Sequence, residues 1–225
     1  MEFRFCFKIQ VCYQNNKVFT KAPQGNEMKI FHHRINEARK LIDIQPNDGV
    51  EIDLRSASGK VILQHDPFLD GEDFTSWLEH WSGQDLILNV KEEGLENRIL
   101  EILDTFAVKN YFFLDQSFPF MVKSLNLGNR NVAARVSDLE SIETAIGLDC
   151  KWVWLDCFLG DWNFIIDVVP VLQAQGKLLC LVSPELVRIE TENELRNLQN
   201  IIAENHFILE AVCTKSKSKW VQHAF

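Results

Sequence analysis

Eight short apolar segments, separated by longer amphipathic ones, recur along this chain from residue 28 to residue 214. They are Met28–His33, Gly49–Arg55, Asp85–Lys91, Asn110–Asp115, Asn131–Val136, Lys151–Cys157, Lys177–Ser183 and Leu209–Thr214. Each is short enough and rich enough in β-branched and aromatic residues to be a strand. Between them lie helical patterns at Leu95–Phe106, Phe120–Leu127, Leu139–Ile146, Trp162–Gln175 and Glu192–Asn205, and Gly128 and Gly176 stand where helices should stop. Strand–helix alternation of this kind implies parallel pairing with helical crossovers. Eight repeats favour closure, so the expected fold is α/β, a compact (β/α)8 TIM-type barrel.

Two stretches depart from the plain repeat. After the second strand, Ser56-Ala57-Ser58-Gly59-Lys60 leads into Val61–His65, which reads as a hairpin-like excursion. Only about ten residues follow the eighth strand, too few for a full closing helix. Ahead of the repeat, Phe3, Phe5, Phe7, Ile9, Val11 and Tyr13 alternate with polar residues as in a strand. The expected division is an N-terminal extension at 1–27, the barrel at 28–215 and a tail at 216–225. Met28 stands directly before the first barrel strand and would make a plausible start.

Composition bounds the partners. Apolar residues make up 46% of the 225, enough for a core, and the net charge of -9 opposes binding to the phosphate backbone of nucleic acid. It leaves room for a phosphate substrate in a pocket whose local charge is inverted. No apolar run reaches the length of a membrane span, so no stable insertion is expected. The six cysteines form no C-x-x-C pair, and reduced thiols in a cytoplasmic protein are the default. Lys215, Lys217 and Lys219 read as a solvated tail.

The chemistry should sit at the C-terminal ends of the strands. The first strand ends in His32-His33-Arg34. On the second, Glu51, Asp53 and Arg55 share one face, with Val50, Ile52 and Leu54 on the other. Three ionisable groups on one face of a buried strand are costly unless paired or bound to a metal. One reading is an internal salt-bridge network that includes Lys91. The other is a carboxylate pair holding a hard divalent cation, with Arg55 or Lys91 facing a phosphate. Asn89 and Lys91 end the third strand, and Asp115, Arg135, Asp156 and Glu185 lie at later strand ends. His65-Asp66-Pro67 closes the excursion. With His33 it offers two imidazoles beside a carboxylate cluster, suited to acid and base roles in phosphoryl transfer.

His33-Arg34, then Glu51-Ile52-Asp53, then Gly59 through His65-Asp66-Pro67 resemble the signature of glycerophosphodiester phosphodiesterases: H-R, then E-x-D, then H-D. The wider superfamily, with phosphatidylinositol-specific phospholipase C and sphingomyelinase D, shares a barrel. The match covers roughly residues 28–91. The resemblance implies acid/base histidines at His33 and His65 and metal ligands, for magnesium or calcium, at Glu51 and Asp53. It implies phosphate contacts at Arg34 and Lys91 and a small phosphodiester as substrate. The pattern departs at Ile35, where the family has Gly, and at the following loop, where Glu37 is a loose counterpart of a family acid. It departs again at Asn89, where the family has a third acidic ligand. Asn coordinates through its carbonyl oxygen without bringing charge. The resemblance therefore leaves two outcomes: a metal-dependent phosphodiesterase, or a phosphate- or phosphosugar-binding barrel with weak or lost turnover. A barrel with a polar mouth and other, metal-free chemistry is a third.

Overall fold

The computed structural model of the chain describes residues 28–189 and 191–221. The alternating segment expected at Phe3–Tyr13, with Cys6 and Cys12, lies outside the described residues. Ten strands form one sheet: β1 (Lys29–His32), β2 (Gly49–Ala57), β3 (Lys60–Leu63), β4 (Glu72–Asp73), β5 (Asp85–Val90), β6 (Tyr111–Leu114), β7 (Ala133–Val136), β8 (Trp152–Leu155), β9 (Leu178–Val182) and β10 (Ala211–Thr214). The helices are α1 (Phe74–Leu78), α2 (Glu96–Thr105), α3 (Phe118–Asn126), α4 (Glu143–Gly147), α5 (Ile165–Ala174), α6 (Glu192–Glu204) and α7 (Ser218–Val221).

All eight expected strands are present, as β1, β2 and β5–β10. They pair in parallel in the order β6–β5–β2–β1–β10–β9–β8–β7, giving one curled sheet. The two ends of that order, β6 and β7, meet at a single bridge between Phe113 and Val132, beside a hydrogen bond from Phe113 N to Asn131 O. The expected excursion is an antiparallel hairpin of β2 and β3. Its two-residue turn is Ser58-Gly59, both left-handed at φ 50° and 78°, the conformation that suits a tight hairpin.

Strand parity builds three cores. Phe31, Ile87, Phe112, Trp154, Cys180 and Cys213 turn to the concave side and pack on one another. Val50, Ile52, Leu54 and Leu88 turn outward onto α1 and α2. Val153, Leu155, Leu179 and Val212 turn outward onto α5 and α6. Each such aliphatic side chain contributes about 1.5–3 kcal/mol on burial. That anchors β2 from its outer face and fixes which way Glu51 and Asp53 must point.

The residues after β10 are not a free tail as far as Val221. Trp220 is buried in the core under α6, its Nε1 donating to Ser183 Oγ at 2.9 Å. Gln199 Nε2 donates to the Lys219 carbonyl at 2.8 Å, and Lys217 Nζ lies 2.7 Å from Asp48. The expected Leu139–Ile146 helix is shorter, at Glu143–Gly147. Ser137 Oγ accepts from the amides of Leu139 and Glu140, a local side-chain turn that competes with helix.

Candidate active site

The inward face of β2 sets the site. Glu51 and Asp53 are both fully buried there, and Asp53 stands directly beside Asn89 of β5 in the ladder. The chain after β1 bends over them. Arg34 is left-handed, at φ 55°, an uncommon conformation for a residue with a side chain. The bend places the Arg34 backbone amide 2.7 Å from Glu51 Oε2, while Asn89 Nδ2 donates to Glu51 Oε1 at 2.9 Å. Asn36 clamps Asp53 from both directions: its Nδ2 donates to Asp53 Oδ2 at 2.8 Å, and its Oδ1 accepts from Asp53 N at 2.9 Å.

Cations surround the pair. Lys91 Nζ lies 3.5 Å from Asp53 Oδ1 and 3.4 Å from Asp115 Oδ2; Arg34 Nε lies 3.7 Å from Asp53 Oδ2. Asp115, also left-handed at φ 57°, is bound in turn by Arg135, which reaches Asp156 at 2.8 Å. Charges of alternating sign thus run across β5, the end of β6, β7 and the end of β8.

His33 Nε2 is 3.9 Å from Glu51 Oε2, and its Nδ1 is buried without a hydrogen-bond partner. Burial, helped by Arg34, Lys215, Lys91 and His65, pulls its pKa down from 6.5 to about 3. The ring is therefore neutral at pH 7. Glu51 moves the other way: burial, then the charge of Asp53, pushes it up from 4.5 to about 7, against the hydrogen bonds from Asn89 and Arg34. His65 stands at the rim, its Nδ1 2.7 Å from Asp66 Oδ1. That contact holds the Asp66 carboxyl below its ordinary range.

The structure thus brings together His33, Arg34, Glu51, Asp53, Asn89 and Lys91. Arg55 is placed differently from its neighbours on the strand. Its Nε donates to the His65 carbonyl at 3.0 Å and its NH1 to the Lys91 carbonyl at 3.2 Å, so it ties the hairpin loop to the end of β5 and pairs with neither Glu51 nor Asp53. Glu37 turns away from the cluster to Arg39 and Lys40. The residue of that loop that touches Asp53 is Asn36. Its signal in the sequence was being the first amide in the segment that crosses over two buried carboxylates, which need donors.

Among the described residues, no three His, Cys, Asp or Glu side chains gather as metal ligands. The oxygens that do gather suit a hard cation all the same. Asp53 Oδ1 and Asn89 Oδ1 are buried with no hydrogen-bond partner, and they belong to ladder neighbours. Orphaned buried oxygens of this kind call for a ligand, and carboxylate and amide oxygens are the donors magnesium and calcium take.

No protein-family model and no curated protein matches the sequence. Solved structures do match in shape. A glycerophosphodiester phosphodiesterase from Thermotoga maritima superposes with a TM-score of 0.62 at 16% identity, covering 88% of this chain and 99% of that one. Another, from Parabacteroides distasonis, gives 0.64 at 12%, covering 90% and 87%. Phosphoribosylanthranilate isomerase from Thermotoga maritima gives 0.55 at 13%, covering 88% and 98%. The same shape therefore carries unrelated chemistries, and function must be argued from the site. Across nearly its whole described length, this chain has the fold of solved glycerophosphodiester phosphodiesterases.

Proposed function

We propose that the chain is a phosphoric diester hydrolase acting on a small phosphodiester, on a closed (β/α)8 barrel sealed at β6 and β7 by their single bridge. The observation that carries the reading is the site itself: two buried carboxylates, unpartnered oxygens on Asp53 and Asn89, a neutral histidine and a lysine at adjoining strand ends, under a fold shared with phosphodiesterases. Glu51, Asp53 and Asn89 would hold a divalent cation, magnesium or calcium. When bound, it would polarise a phosphoryl oxygen and offset the charge developing there.

The chain's own residues divide the remaining work. Lys91 and the half-exposed Arg34 guanidinium face the phosphate as charge-assisted donors. His33, held neutral, accepts the proton of the attacking hydroxyl. His65, oriented by Asp66, returns a proton to the departing alkoxide. Arg55 positions both sides by holding the His65 and Lys91 carbonyls. Phosphate contact at Arg55 would use guanidinium N–H groups other than those two.

A second reading rests on one contact. Asn89 brings no charge and spends its amide hydrogen on Glu51, which favours a phosphate-binding barrel with slow turnover. Release of p-nitrophenol from bis(p-nitrophenyl) phosphate, with and without divalent cation, separates the two. Hydrolysis that needs the cation and falls about 100-fold or more in His33→Ala supports the enzyme. Binding of inorganic phosphate without any hydrolysis supports the second reading and overturns the first. Among the described residues, no helix is long and apolar enough to cross a membrane.

A further inference from the structure

A cavity of about 580 Å³ opens where β6 and β7 part. Its size falls within the roughly 300–1,000 Å³ of small-molecule sites. Leu114, Ala133 and Arg135 line it from the concave face of the sheet, while Phe118 and Met121 of α3 and Thr144 of α4 line it from the helical layer. A space touching both layers passes through the wall of the sheet. It can do so because the single bridge leaves the strands unpaired beyond Phe113.

The cavity is joined to the site by charge. Asp115 lines it and is paired to Lys91, which lies 3.5 Å from Asp53. Among the described residues its one lining cation, Arg135, is already matched by Asp115, Asp156 and Glu140. Among those residues no free positive charge remains there for a second anion, so the neutral part of a ligand belongs in this space. Leu114, Met121 and Ala133 give that part an apolar floor, with Gln116, Glu140, Ser141 and Thr144 polar beside it. Exposed apolar side chains stand at its edge and in the neighbouring loops: Phe118 (58% exposed), which also lines it, Leu139 (64%) and Leu159 (70%). The loops after β7 and β8 are tied together by Asp138, which accepts from the amides of Phe158 and Leu159 at 2.9 and 2.7 Å. The Phe158 ring lies 5.6 Å from the Arg135 guanidinium. Phe118, and Leu139 beside the lining Glu140, thus put apolar surface at the edge of the cavity.

We infer that this cavity seats one alcohol of the phosphodiester, and that this alcohol carries a hydrocarbon body running out between α3 and α4. The inference rests on the phosphodiesterase reading. Its test compares methyl p-nitrophenyl phosphate with hexyl p-nitrophenyl phosphate in the wild type and in Thr144→Trp and Ser141→Trp. Both variants fill the cavity from outside the acid/base residues, and Ser141 is exposed enough to accept the change if Thr144→Trp does not fold. The expected result is a preference for the hexyl diester of roughly tenfold or more in kcat/KM. It should fall to about one in the variants, with the methyl diester unaffected. No preference in the wild type, or an undiminished one in folded variants, overturns the inference and leaves the phosphodiesterase reading standing. If neither diester is hydrolysed, that reading fails, and calorimetry with hexyl phosphate decides the cavity. Binding lost in the variants supports it; binding absent in the wild type or equal in all three overturns it.

Discussion

Glu51 should make the protein less stable as pH rises through neutrality. In the folded state its pKa is raised from 4.5 to about 7. A group raised on folding contributes stability that is fully present below its unfolded pKa and is lost as pH rises through the folded one. The window is therefore pH 4.5 to about 7. At about 1.4 kcal/mol per pH unit, the loss across it is roughly 3 kcal/mol. Glu51→Gln removes the titration. Gln keeps a single acceptor for the two donors, Arg34 N and Asn89 Nδ2, which lowers the variant's stability by a similar amount at every pH. The pH dependence of the difference isolates the charge. Urea denaturation with a chelator present, at pH 4 and pH 8, should show the variant gaining on the wild type by roughly 3 kcal/mol between the two. A difference that stays constant, or that moves toward the wild type, refutes the claim that burial beside Asp53 holds this carboxyl up.

His33 carries the mirror-image effect: its depressed pKa gives stability present above 6.5 and lost as pH falls toward about 3. In acid denaturation, His33→Gln should therefore lose less over that window, on the order of 4 kcal/mol less if the ring stays buried. Calorimetric titration should show Asn89→Asp binding magnesium or calcium about tenfold tighter, because it adds an anionic oxygen, while Asp53→Asn abolishes binding. Unchanged affinity in Asn89→Asp would remove that residue from the ligands. Gly49→Ala would set a Cβ 2.3 Å from the Phe31 ring, and that ring is held in the packed inner core. Thermal unfolding should register a loss of about 1–3 kcal/mol, and an unchanged midpoint would mean the ring has room to move.

The strand pattern was legible because each strand is a short apolar run with a turn signal at its end, and β2 showed its two faces in the plain alternation of Val50, Ile52 and Leu54 with Glu51 and Asp53. The α4 boundary was not, since Ser137 and Asp138 spend their side chains on local and neighbouring backbone amides, which periodicity does not register. That His33, Arg34, Glu51, Asp53, Asn89 and Lys91 would lie near one another was legible because they fall on the inward face of β2 and at or just beyond the ends of its neighbours β1 and β5. The role of Asn36 depended on the loop folding back over β2, and the fixing of Arg55 on two carbonyls depended on where the hairpin returns. Both follow from chain paths rather than spacing. Lys217 looked like one of three solvated lysines, and its partner Asp48 lies on the far side of the sequence.

The lone bridge between Phe113 and Val132 also divides the molecule mechanically. On one side stand β2, β5 and β6 over the α1–α2 core; on the other, β1 and β7 to β10 over the α5–α6 core. Local opening follows the line with fewest hydrogen bonds. Amide exchange should therefore loosen first along β6 and β7, with the β1–β2 junction, paired at two residues, acting as the hinge. A ligand lodged at the parted strands would bridge both halves and stand in for the missing ladder, slowing exchange in segments that it never touches.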